Sequence, residues 1–160
     1  MKNMLDSKCA FCQKDVQENN FAESENFLAI YNVAPILPGH SLIIPRWHVH
    51  SLMELSKQEL CEMTVFARDV VKVLIKEFGH TAFNWTIQEG VEAGQTVPHL
   101  HLHLIPRKAK DLPQPGDWYP LLEQSEIELI DSDARPKLSF DEMKVIATKL
   151  KATAKEVLSQ

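Results

Sequence analysis

The chain has 160 residues, 44% of them hydrophobic, and a formal net charge of −5, which suits one compact domain with its own core. The acidic balance argues against a protein devoted to nucleic-acid backbone, which calls for a basic face, and leaves small anionic ligands open. No apolar run approaches the roughly 20 residues of a membrane helix, the N-terminus lacks a signal-peptide segment, and an odd count of three cysteines fits a reducing cytoplasm better than a disulfide framework.

In chain order, Cys9-Ala10-Phe11-Cys12 comes first, two thiols at a spacing that suits a shared metal. Phe27 to Val33 reads as a strand, closed by a turn from Pro35 to Gly39. His40 to Pro45 follows as a second strand, so the pair forms a hairpin-like antiparallel unit. Ser56-Lys57-Gln58-Glu59 has the capping-box spacing of a helix start. Leu60, Met63, Phe66 or Ala67, Val70, Val71 and Leu74 then recur at helical spacing, and Gly79 stands where a left-handed C-terminal cap belongs. Cys61 is expected as a small, at least half-buried side chain.

Ala82 to Gln88 is a third strand, and Glu89 to Gln95 a loop with two glycines. A Rossmann-type phosphate loop is excluded, because Gly90 and Gly94 have the wrong spacing and lead into a strand. Next comes His99-Leu100-His101-Leu102-His103-Leu104, whose period-two alternation predicts a strand with imidazoles on one face and leucines on the other. Residues 108 to 137 show little periodicity, with Ile127 to Ile130 as a candidate short strand. Trp118 and Tyr119 are expected to anchor this tail. A second capping box, Ser139-Phe140-Asp141-Glu142, opens a terminal helix through Met143, Ile146, Leu150 and Val157. Tight turns with inserted helices predict an α+β fold on an antiparallel sheet of about five strands, with one main helix and a C-terminal helix. One domain spans residues 1–160, its core about 20–110 and an extension 111–160.

Three alternating histidines admit two chemistries, besides the bland reading of a histidine-rich surface strand. One metal cannot take all three: His99 and His103 lie about 13 Å apart on an extended strand, whereas a metal sits only roughly 6–6.5 Å from the Cα of each ligand. An adjacent pair can share one. The other chemistry is on a phosphate ester. A neutral imidazole attacks phosphorus, a neighbour steadies the phosphate oxygens, and an adjacent backbone carbonyl or side chain fixes the tautomer of the attacking ring. Arg46, Arg107, Lys108 and Lys110 flank the strands and read either as a local positive patch or as solvated charge.

The run Gly94-Gln95-Thr96-Val97-Pro98-His99-Leu100-His101-Leu102-His103-Leu104-Ile105-Pro106-Arg107 resembles the signature of the histidine triad family of nucleotide hydrolases and transferases. Glu92 to Val97 and Pro106 to Ala109 resemble its fragile-histidine-triad branch of dinucleoside polyphosphate hydrolases, and the upstream run Asn32 to Pro45 is similar to the family as a whole. The resemblance implies a histidine-triad fold, usually as a homodimer, and cleavage of a dinucleoside polyphosphate at the α-phosphate. It makes His101 the nucleophile, His103 a contact of the α-phosphate with His40 as its neighbour, and His99 a support for His101. Gln88, Gly94, Gln95 and Thr96 would bind phosphate oxygens. Asn32 would bind ribose, unless it is only a turn former, with Val33 beside the base and Phe27 and Ile43 more simply core. Some members hold zinc on a cysteine pair and two histidines, here Cys9, Cys12, His48 and His99, with His50 a rival to His48. The implied partner is an adenine nucleotide, with no nucleic-acid polymer and no membrane. A nucleotidyl transferase or phosphorylase and a slow-turnover nucleotide-binding protein remain as alternatives.

Overall fold

The computed structural model describes residues 5–127 and 137–159. Five strands form one antiparallel sheet in the order β1-β2-β3-β5-β4. They are β1 (Ala22–Glu23), β2 (Phe27–Tyr31), β3 (Ser41–Pro45), β4 (Ala82–Thr86) and β5 (Leu102–Arg107). Among the described residues four helices accompany them: α1 (Lys14–Glu18), α2 (Lys57–Phe78), α3 (Trp118–Ile127) and α4 (Phe140–Leu158). Short 3-10 turns occupy Ala10–Cys12, Leu52–Glu54 and Val91–Ala93. Among the described residues no helix is long and apolar enough to cross a membrane.

The two capping boxes form as their spacing predicts. Ser56 and Glu59 exchange side-chain and backbone hydrogen bonds at the start of α2, and Ser139 and Glu142 do so at α4. Gly79 ends α2 in the left-handed region (φ +72°), its N–H donating to the Ile75 carbonyl. Met63, Phe66, Ala67, Val70 and Leu74 are buried under the sheet, joined by Leu150 and Ala154 of α4. The strand residues in this core are Ala22, Phe27, Ala29, Tyr31, Ile43, Leu102 and Leu104. Strand alternation sends Leu28, Ile30, Leu42 and Ile44 to the other face, where Phe11 and Val16 pack on them. Both faces of the central strands are therefore covered, and the N-terminal segment is the second cover.

Several expectations are corrected. The five strands include β1, which no sequence pattern announced, and β2 ends at Tyr31, two residues short of Val33. Ile127 is the last residue of α3, and residues 128–130 of the candidate strand lie outside the described residues. Cys61 is exposed, one position off the buried stripe of α2. The histidine strand begins only at Leu102. His99 donates its N–H to the Val97 carbonyl and Leu100 donates to Val49, so the chain turns through a bend before it joins the sheet.

Two contacts fix the ends of β3 and β5. Gly39 (φ +91°) lies so close to Pro106 and Phe78 that a Cβ there would meet Pro106 Cγ at 2.7 Å, and its N–H donates to Tyr31 Oη at 2.9 Å. Beyond β5, Arg107 makes a two-pronged ion pair with Asp111 (2.8 and 2.9 Å) and also donates to Asn84 Oδ1 and the Pro115 carbonyl. Hydrogen bonds from Arg107 hold the Asp111 carboxyl down at about 2. A depressed carboxyl stabilises the fold above its unfolded value of about 4, and that contribution drains away as pH falls toward about 2. Asp111→Asn is expected to cost about 2 kcal/mol at pH 7. In denaturant melts the gap between parent and variant should close between about pH 4 and 2; a constant gap would show that the charge is not what matters.

Candidate active site

The bend at residues 97–101 sets the site. His40, His99, His101 and His103 are all buried, none more than 2% exposed, and their roles are separated by what each ring nitrogen meets. His101 Nδ1 lies 2.7 Å from the His99 carbonyl. A carbonyl only accepts, so Nδ1 carries the proton and Nε2 keeps its lone pair. His40 has the reverse constraint: the Ile36 N–H donates to its Nδ1 at 3.2 Å. Its proton is therefore on Nε2, which donates to His103 Nδ1 at 2.9 Å. That leaves His103 protonated on Nε2. The rings of His101 and His103 meet edge-on with centroids 4.8 Å apart. A backbone carbonyl and a backbone N–H thus give neighbouring imidazoles opposite tautomers, one a lone-pair donor and one a hydrogen-bond donor.

Both rings open on a cavity of about 400 Å³, a volume suited to a small organic ligand. Ile30, Leu42, Phe11 and Val16 supply apolar lining, and Asn32, Val33 and Thr96 line it as well. Asn32 Oδ1 accepts from the Ala34 N–H at 2.9 Å, which turns Nδ2 toward His40 Nε2 (3.3 Å). That nitrogen already carries a proton, so the Asn32 amide hydrogens stay available to a ligand. Phe27 and Ile43 face the helices and belong to the core, as their plainer reading had it.

The other expected phosphate-binding groups are placed unevenly. Gln88 is buried, with Nε2 on Thr86 Oγ1 at 2.8 Å and Oε1 without a partner. A threonine hydroxyl donates as well as accepts, so a turned amide keeps this bond and frees its N–H groups. Gln95 is spent on the loop: Oε1 accepts from the Gly90 N–H and Nε2 donates to the His50 carbonyl. The Gly94 N–H donates to Val91 within the same turn. In this conformation neither reaches toward a ligand. Arg46 and Arg107 do not form a positive patch, since each is paired with a neighbouring carboxylate.

The His99 ring faces away from this cavity. Its Nε2 donates to the Pro45 carbonyl at 3.1 Å, and its Nδ1 lies 3.4 Å from Cys9 Sγ and 3.6 Å from Cys12 Sγ. His48 Nδ1 lies 3.5 Å from Cys12 Sγ, and one donor atom from each of the four residues falls within 4.8 Å of the others. Tetrahedral zinc with S and N ligands puts them about 3.6 Å apart, given bond lengths near 2.3 and 2.0–2.1 Å. His48 Nε2 stands 3.9 Å from Asp6 Oδ2, so each imidazole points Nδ1 inward and Nε2 toward an oxygen, as outer partners of metal-bound histidines do. Burial holds the His99 ring neutral down to about 4 and raises the Cys12 thiol to about 11. The donor set fits zinc, and His50 is outside it.

Sequence reasoning missed Ile36 and Pro45, whose contributions are backbone atoms. It also missed Phe11, whose ring stands edge-on to His99 and His101 at 5.7 and 5.2 Å. The Phe11 signal was available in its position between two metal-spaced cysteines.

Paired imidazoles on an antiparallel sheet, at the edge of a nucleoside-sized cavity, define a histidine-triad protein. The family described as the HIT domain matches residues 13–110, and the chain belongs to that family. It is 41% identical over 116 residues to a bis(5'-nucleosyl)-tetraphosphatase of Schizosaccharomyces pombe, covering 72% of this chain and 64% of that one. It is 33% identical over 127 residues to a bis(5'-adenosyl)-triphosphatase of Dictyostelium discoideum, covering 75% and 85%. Among solved structures, a diadenosine triphosphate hydrolase of Plasmodium falciparum superposes with a TM-score of 0.69 at 25% identity, over 90% of this chain and 79% of that one.

Proposed function

We propose that the chain hydrolyses dinucleoside polyphosphates at the α-phosphate through a nucleotidyl-histidine. The observation that carries this reading is the fixed pair of opposite tautomers on His101 and His103. The names of the relatives support the substrate class, and an adenine nucleotide follows from two of them. Asn32 holds the ribose, with Thr96 and a turned Gln88 on phosphate oxygens.

His101 Nε2 attacks the α-phosphorus with its lone pair. A P–N bond forms as the bond to the bridging oxygen breaks, and the remaining nucleotide leaves with the electron pair. With a second phosphate pKa near 6 it departs largely as the anion. His103 Nε2–H donates to a phosphate oxygen as charge builds there. Water then attacks the same phosphorus, the P–N bond breaks, His101 recovers its lone pair, and the surplus proton of the water passes to solvent. His101→Asn should lower turnover by at least about 10³-fold. Intact-mass spectrometry after brief mixing with a dinucleoside polyphosphate should find a nucleotidyl adduct on His101. A variant within about tenfold of the parent would remove the nucleophile assignment. Running the reaction with inorganic phosphate and identifying the product separates hydrolysis from phosphorolysis.

The second site is proposed to hold zinc on Cys9, Cys12, His48 and His99. Four protein ligands leave no open position, so zinc there supplies a cross-link rather than Lewis-acid chemistry. It would tie the N-terminal turn to His48 and to the His99 bend. Metal analysis of protein purified without chelator should give about one zinc per chain, and Cys12→Ser should lose it with a lower melting temperature. Less than about a tenth of an equivalent in the parent would overturn the proposal. Three cysteines outside any disulfide, two of them proposed metal ligands, suit the reducing cytoplasm proposed for the protein.

A homodimer is also proposed, through β4. This strand is an edge of the sheet, and it carries Trp85, 44% exposed, while α2 carries Val65, 48% exposed. An apolar edge strand is a pairing surface. Sedimentation should give twice the chain mass for the parent and the chain mass for Trp85→Glu; a monomeric parent would refute the dimer.

A further inference from the structure

We propose that the first turn of α4 is a base-binding element, with Phe140 stacking on the base of the bound nucleotide and Met143 packing behind it. The inference rests on the nucleotide reading above and adds to it a segment outside the matched HIT domain, which ends at residue 110.

Leu138, Phe140 and Met143 line the same cavity as His101 and His103. Their placement is fixed at two points. The Leu138 N–H donates to the Val33 carbonyl at 2.9 Å, joining the start of α4 to the residue after Asn32. The Ser139–Glu142 capping box then sets where the helix begins. Phe140 follows directly, 61% exposed, and Val33 beside the same cavity is 41% exposed. Two large apolar side chains left in water at the rim of a cavity whose floor, with Ile30, Leu42, His101 and His103, is buried mark a surface that a flat apolar ligand would cover.

The linear order of groups agrees. Asn32 offers amide hydrogens suited to ribose hydroxyls, and His101 and His103 lie on the phosphate side. The base must then occupy the apolar part of the cavity, where Phe140 and Met143 join Ile30, Leu42, Phe11 and Val16. An aromatic face takes any base, because every base has a π-face. The contact therefore adds affinity for the nucleoside without choosing among bases.

The test is an NMR titration, which reads weak affinities, with adenosine monophosphate and with ribose 5-phosphate. Phe140 is exposed, and alanine is a stronger helix former, so Phe140→Ala keeps the fold. Its affinity for adenosine monophosphate should fall about tenfold, the usual scale of one base stack, while ribose 5-phosphate binds within about twofold of the parent. Met143→Ala should show a smaller loss of the same kind. Unchanged binding of adenosine monophosphate by Phe140→Ala would overturn this inference alone, as would an equal loss for both ligands. Failure of the parent to bind adenosine monophosphate at millimolar concentration would remove the nucleotide reading itself.

Discussion

The site depends on one hydrogen bond, from His101 Nδ1 to the carbonyl of His99. It exists because the chain bends at residues 97–101 instead of running straight into the sheet. A straight strand would give His99 and His101 ladder partners and commit that carbonyl to a neighbouring strand. In the bend the carbonyl is free to fix a tautomer, and the ring of the same residue is free to turn toward Cys9 and Cys12. His99 therefore acts in three directions. Nδ1 faces the sulfurs, Nε2 donates to Pro45 at the end of β3, and the backbone oxygen orients His101. One residue thus joins the N-terminal turn, the end of β3 and His101.

Much of this was legible in the sequence, for identifiable reasons. The paired Ser and Glu of each capping box are local, and the structure places α2 and α4 where those pairs lie. The same four-residue pattern at Ser51–Glu54 caps only a 3-10 turn, because no apolar stripe follows it to be buried. The histidine run was conspicuous by composition, yet its alternation pointed to a strand three residues too early. Leu100 and Leu102 are both buried, so the hydrophobic pattern is the same in a bend as in a ladder. Helix α3 was hard to read: Trp118, Leu121 and Leu122 do keep i, i+3, i+4 spacing, but over little more than one turn and among Pro113, Pro115 and Pro120, the last in the first turn, where a missing N–H costs little. Gln95 looked like a ligand-binding side chain because residue type reveals nothing about which donors a loop needs for its own closure.

The sheet and the cavity divide the work. The central strands, covered on both faces, place His103 rigidly beside His40. The cavity beyond is walled largely by segments that are not strands: the turn carrying Phe11, the helix carrying Val16, and the start of α4. The groups proposed for phosphate and ribose lie within the matched domain. The N-terminal wall falls at its margin, and the C-terminal wall outside it. The same scaffold can thus hold the paired histidines constant while the walls around the cavity vary.

Gly39 shows how such a scaffold can mislead. The residue next to His40 is pressed against Pro106 and Phe78 in a left-handed backbone conformation, with no room for even a methyl group. A library selected for activity would score it as indispensable, ranked with the histidines, although it does not line the cavity. Its intolerance comes from where two strand ends cross, and a survey of viable sequences would record crowding there as if it were chemistry.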